Sequence, residues 1–406
     1  MQNQTTSFWP LPLVTPAAAG FDAARLSKVS ELMRQSVDSD VIAGAVWLVA
    51  RRGGIALLDL QGHANREKNI PMAYDSIMRI YSMSKIITTV AMLQLLEEGR
   101  YLLSDPVANW LPELAEPKVA LTGADGSVEL VPAVRPITFE HLLTHTSGVD
   151  YEMFHQVRDS GGSIEQFVAG LRERPLKHQP GECWTYGAST DICGWLVEQL
   201  SGLKLDEYFR RNIFEPLGMT DTDFYVPEEK RHRLAVIYRH AAPAEGAAAA
   251  RGDILAGRSL EPSDTYSDTR YGERPSLMSG GGGLYSTTAD YLRFGLMLLG
   301  GGTLQGTRIL GRKTVELMTS DHLPPKVAPP SVNRRGFGLG VSVLRHLGEA
   351  QEIGSVGEFG WGGAACTQAW MDPAEDMLTM VMMQYKPTTR FTLLDRFKQS
   401  AYQALA

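Results

Sequence analysis

Strand-like runs gather at the two ends of this chain, and a long helical, loop-rich stretch separates them. Near the N-terminus, 41–50 and 55–62 read as strands, joined by Arg51-Arg52-Gly53-Gly54, a good hairpin turn. Towards the other end, 337–344, 364–371 and 377–383 read the same way. This distribution predicts a sheet assembled from both ends of the chain and interrupted by a helical insertion. A chain of 406 residues has room for two domains or lobes, and no repeat of solenoid period is visible.

Helical spacing of apolar residues predicts helices over 21–36, 137–145, 164–172, 191–200, 205–214, 288–299 and about 389–404. The strongest pattern follows Tyr81-Ser82-Met83-Ser84-Lys85, where Met83, Ile86, Ile87, Val90, Leu93 and Leu96 form an apolar stripe and Gly99 is a fitting C′ residue. The alanine-rich 241–257 specifies no second core and reads as a surface excursion.

Composition narrows the function classes. Hydrophobic residues make up 44% and charged residues 21%, ordinary for a soluble globular protein. The 39 basic against 46 acidic side chains give −7, without a dense Lys/Arg run, which argues against a nucleic-acid partner. No apolar stretch is long enough for a membrane span, and the first twenty residues do not read as a signal peptide. Cys183, Cys193 and Cys366 are too few and too scattered for a disulfide framework, so free thiols in a reducing cytoplasm are expected.

Ser82 and Lys85 are the first candidates for chemistry. Residues three apart share a helix face, so the lysine amine can take the serine proton and make the hydroxyl a nucleophile. The spacing alone does not decide, because Ser201-Gly202-Leu203-Lys204 repeats it. That second pair follows an apolar helix as its C-terminal cap, where carbonyls disfavour an oxyanion. Ser82 opens a helix, where free backbone N–H groups favour negative charge. A lysine base must be neutral, a shift of roughly three units or about 4 kcal/mol from its reference value. Tyr186, in a loop entering a helix, is placed to relay the proton. Trp361-Gly362-Gly363 lets a ligand approach the backbone, so that the N–H of Ala364, with that of Ser82, makes an oxyanion hole; a bulge or tight strand start is the bland alternative.

The order Ser82-x-x-Lys85, Tyr186, Trp361-Gly362-Gly363 resembles the serine β-lactamase and penicillin-binding-protein superfamily, and within its class C β-lactamase-like group the family VIII carboxylesterases. His141 to Gly148, Glu215 to Thr222 and the glycine run at Gly280 support the resemblance, which spans nearly the whole chain. It implies an α/β (α+β) fold with a mainly antiparallel sheet flanked by helices, from 1–80 and 285–406. A mainly helical domain, 81–284, would complete it, with the site between the two. It also implies an acyl-enzyme on Ser82, with Lys85 as general base, Tyr186 sharing proton transfer, and Asp191 near the site orienting a polar partner.

Two departures set the subclass. Members with Lys-Thr-Gly or His-x-Gly as third motif offer a cation to a substrate carboxylate; the matching position here is Trp361. The polar Asn often found two residues after the tyrosine is Ala188. Both changes favour neutral, short-chain carboxylic esters over β-lactams. Acyl transfer to another alcohol, β-lactam or amide hydrolysis, and a catalytically silent ligand-binding domain are the alternatives. No Gly-x-Ser-x-Gly elbow is present. Tyr151, Trp184 and Met278 are candidates to line the substrate pocket with Trp361, Gly362 and Gly363, although each of the first three also fits plain core. His141 and His145 have the spacing of a zinc pair but lack the intervening glutamate. They are expected to be satisfied structural histidines, with no metal and no cofactor. Gly280 to Gly283 read as a flexible loop beside the cleft. The expected partner is a small-molecule ester, and the oligomeric state is left open.

Overall fold

The computed structural model describes residues 8–386 and 392–406, apart from 124, 242–258, 264–271, 325–326 and 328–333. The alanine-rich stretch, beyond Ala241, and the start of the closing helix therefore lie outside the described residues.

Helix α1 (Ala23–Asp38) begins where the Asp22 side chain accepts from the N–H of Arg25, a conventional N-cap. Strands β1 (Gly44–Arg51), β2 (Gly54–Asn65) and β3 (Ile70–Pro71) follow. Their hairpin turns through Arg52 and Gly53, both at positive φ, as a two-residue turn of primed type requires. The middle of the chain supplies α2 (Ser84–Glu97), α3 (Phe139–Leu143), α4 (Ser189–Ser201) and α5 (Thr288–Leu299). The C-terminal part gives β4 (Gly336–Phe337), β5 (Ser342–Val343), β6 (Phe359–Gly362), β7 (Gln368–Asp372), β8 (Met377–Met383) and α6 (Leu393–Tyr402).

These strands form one eight-stranded sheet in the order β4-β5-β6-β7-β8-β1-β2-β3. Every pairing in it is antiparallel. Its centre joins the two ends of the chain, with Ala45 opposite Met383 and Arg51 opposite Met377. Strand β1 is buried along its whole length, so its two-residue period serves two cores. Val46, Leu48 and Ala50 face the larger core with α2 and α5, whereas Ala45, Trp47 and Val49 pack against α1 and α6.

Three expectations are corrected. The 337–344 run is a short hairpin, not one strand, because Gly340 turns at φ 69°. The 364–371 strand starts only at Gln368; Trp361-Gly362 belongs to the preceding strand, and 363–366 turn the chain back with Cys366 at φ 62°. Helix α2 carries more than a stripe: from Ser84 to Leu93 every residue is buried, as in a helix surrounded by protein.

Candidate active site

Ser82 lies in a 3₁₀ turn, Tyr81–Met83, that feeds directly into α2. Tyr81 itself is at φ 43°, an uncommon region for a bulky residue and a mark of local strain beside the candidate nucleophile. One turn on, Lys85 is 1% exposed, with its Nζ 3.4 Å from Ser82 Oγ. The same Nζ donates to the Tyr151 hydroxyl at 2.8 Å and to the Gly281 carbonyl at 2.5 Å, and lies 4.8 Å from the centre of the Tyr186 ring.

Glycines bring these pieces together where close approach is needed. Gly187 packs so tightly on the Val149 carbonyl that a Cβ would overlap it, which sets Tyr186 beside Tyr151, ring centroids 5.6 Å apart. A Cβ on Gly363 would overlap the Ile80 carbonyl, so the Trp361-Gly362-Gly363 segment closes on the residues just before Ser82. Trp361 Nε1 donates to the Tyr186 hydroxyl at 3.1 Å, so this side chain is a hydrogen-bond donor as well as an apolar wall. Ala364 is exposed on the turn that follows. Met278 is half-buried against the main core, next to the glycine run.

Tyr151 is more than a pocket wall. Burial foremost, with Tyr186 and Asp191 nearby, pushes its phenol well above the usual range, so it meets Lys85 as a neutral hydroxyl. Nothing in the spacing revealed this contact, because 66 residues separate the two partners. Asp191 is fully buried below the cleft, where its Oδ1 accepts from Ser279 Oγ at 2.5 Å and from the Gly281 N–H at 3.0 Å. Burial raises its carboxyl above the ordinary range, against the opposing influence of Lys85 and these two donors.

The glycine run is tied down rather than loose. Thr88 donates to the Gly280 carbonyl at 2.7 Å, the Leu284 N–H donates to Ser84 Oγ, and Gly283 N–H bonds back to the Ser279 carbonyl. The second Ser-x-x-Lys pair is structural: Ser201 ends α4 before Gly202 at φ 75°, and Lys204 pairs at the surface with Glu198 and Glu165.

The histidine pair does not share a helix face. His141 closes a capping box with Thr138 at the start of α3, whereas His145 lies beyond the helix at φ 57°. Its ring is fully buried among Trp184, Tyr186 and Phe337, and both nitrogens lack a hydrogen-bond partner among the described residues. The expectation of a satisfied histidine fails here. Among the described residues no group of three or more His, Cys, Asp or Glu could hold a metal ion, and no helix is long and apolar enough to cross a membrane. A cavity of about 400 Å³ beside Trp9, Leu217 and Arg293 touches none of the site residues.

An antiparallel sheet with helices on both faces, and a Ser-x-x-Lys pair opening the central helix, is the β-lactamase/transpeptidase-like fold. Residues 29–403 match the family model described as Beta-lactamase, and the chain belongs to that family. Protein Rv1367c of Mycobacterium tuberculosis is 33% identical over 373 residues, which cover 87% of this chain and 89% of the relative. Esterase EstB of Burkholderia gladioli is 32% identical over 292 residues, 68% of this chain and 71% of its own. Among solved structures, EstCE1, described as a hydrolase with promiscuous acyltransferase activity, matches with a TM-score of 0.76 at 25% identity. That match covers 93% of this chain and 99% of EstCE1.

Proposed function

We propose that this protein is a carboxylesterase of the family VIII type, a serine hydrolase that cleaves short-chain carboxylic esters through an acyl-enzyme on Ser82. The observation that carries this reading is the buried Lys85 amine, 3.4 Å from the Ser82 hydroxyl. Separations in this range tighten when substrate is bound. Ser82 Oγ attacks the ester carbonyl while its proton passes to Lys85. The N–H groups of Ser82 and Ala364 take the oxyanion. The C–O bond to the alcohol then breaks, and the departing oxygen receives the proton through Tyr186. Water repeats the sequence on the acyl-enzyme, releasing the carboxylic acid and restoring Ser82.

Trp361 supports neutral esters over β-lactams, since it presents an indole where related enzymes place a cation. The likeness to EstB supports the same reading. The partner is a small-molecule ester. The cytoplasm is its place, supported by three cysteines that are all unpaired.

The test is hydrolysis of p-nitrophenyl acetate, butyrate and octanoate beside a chromogenic cephalosporin, with wild type and Ser82→Ala. Ester turnover that disappears in Ser82→Ala, with a far lower cephalosporin rate, is expected. A wild type without ester turnover overturns the enzyme reading, and faster cephalosporin turnover overturns the subclass. A second reading, acyl transfer to an alcohol, is favoured by the likeness to EstCE1. Adding a primary alcohol and quantifying the new ester measures that partition.

A further inference from the structure

The three polar neighbours of Lys85 have different hydrogen-bonding capacities. The Gly281 carbonyl, at 2.5 Å, can only accept. The Tyr151 hydroxyl accepts from Nζ at 2.8 Å, and Ser82 Oγ lies at 3.4 Å. A neutral amine has two N–H bonds and one lone pair in a tetrahedral arrangement. With its N–H bonds directed at Gly281 and Tyr151, the lone pair is left on the Ser82 side, where a general base needs it.

This makes the position of one backbone carbonyl important, and a glycine-rich loop has no side chains to hold it. The structure supplies a clamp from beneath. Asp191, fully buried on α4, accepts from both Ser279 Oγ and the Gly281 N–H with one oxygen. Its other oxygen has no hydrogen-bond partner among the described residues. It lies 2.5 Å from where a Cβ on residue 281 would be, so only glycine fits there. No salt bridge to Asp191 is found among the described residues, so a carboxylate here lacks the usual compensation for burial. Its hydrogen bonds go instead to the loop that holds Lys85.

We propose that Asp191, with Ser279, is a positioning residue for the base: it fixes Gly281 so that the Gly281 carbonyl turns the Lys85 lone pair toward Ser82. This inference rests on the Ser82–Lys85 esterase reading. Asp191 touches neither substrate nor Ser82 in this scheme.

The experiment measures steady-state p-nitrophenyl butyrate hydrolysis by wild type, Ser82→Ala, Asp191→Ala, Asp191→Asn and Ser279→Ala. A wild type without Ser82-dependent activity would be a failure of the esterase reading and is seen in the first two proteins alone. Given that dependence, Asp191→Ala should lose about 10²-fold in kcat, the scale of a misplaced catalytic group, with KM nearly unchanged. Asp191→Asn keeps an acceptor oxygen for Gly281 and Ser279 and should recover most of the loss. Ser279→Ala, which removes one of the two hydrogen bonds, should lower kcat about fivefold. Wild-type kcat in Asp191→Ala, or equal losses in the Ala and Asn variants, overturns the proposal. Where Asp191→Ala does not fold, Ser279→Ala decides: unchanged kcat overturns the proposal.

Discussion

His145 presses against the Tyr186 ring, centroids 4.9 Å apart, with no hydrogen-bond partner for either ring nitrogen among the described residues. Burial foremost holds its imidazole well below the ordinary histidine range. The folded protein therefore keeps it neutral, while the unfolded chain protonates it below about pH 6.5. Its contribution to stability is present above that pH and is lost as pH falls toward the depressed folded value. The difference in melting temperature between wild type and His145→Gln should stay constant above pH 7 and change below about pH 6.5. Lys85→Ala and Tyr186→Phe should each lower esterase turnover by at least about 10²-fold. Trp361→Phe, which removes the N–H donor to Tyr186 and keeps an aromatic but smaller ring, should lower kcat about fivefold, the equivalent of ~1 kcal/mol. At this scale Ser82, Lys85, Tyr186 and Trp361 were legible, because each belongs to a short motif in a fixed order. Tyr151 was legible only as a possible wall. Its contact with Lys85 depends on Gly187 meeting the Val149 carbonyl, and no local spacing encodes that.

Helix α2 organises the elements around the site. Its Ser84 and Thr88 hold the glycine loop. On another side, the β4–β5 hairpin approaches it so closely that a Cβ on Gly340 would overlap Thr89. Gly340 also donates its N–H to the Leu143 carbonyl at the end of α3 and sits at φ 69°. Gly340→Ala combines left-handed strain with overpacking and should destabilise the fold by about 3 kcal/mol, read from the urea midpoint at unchanged m-value. The glycine run at 280–283 shows why element character was harder to read than element position. Glycine serves both mobile loops and sites of close approach. The sequence pattern of Gly280 to Gly283 does not distinguish these uses; the Thr88, Thr190, Asp191 and Phe224 atoms packed against it do. In the same way, apolar periodicity located α2 and β8 well but could not reveal that 337–344 folds back on itself.

Across the whole molecule, a buried polar network fastens the last helix to the start of β6, the strand that bears Trp361. Glu358, just before β6, accepts from Arg335 at 3.0 Å, Lys398 at 2.6 Å and the Tyr402 hydroxyl at 2.5 Å. Arg335 also donates to Ser342 on β5. Glu358 is fully buried, and Glu358→Gln removes one of the two carboxylates that Arg335 and Lys398 share, leaving Glu352 as the other. The expected loss is about 1.5–3 kcal/mol in chemical denaturation, the scale of a hydrogen bond to a charged group.

The pairing of β1 with β8 has a consequence for biosynthesis. When β1 and β2 leave the ribosome, the strand that belongs on the other side of β1 has not been made, and everything from Arg66 to Asp376 must follow first. Until then an apolar strand, buried along its full length in the finished protein, presents a bare edge. The sheet can close only after β8 has been released. Its central contacts are distant in sequence, which slows folding and lengthens the time the edge stays bare.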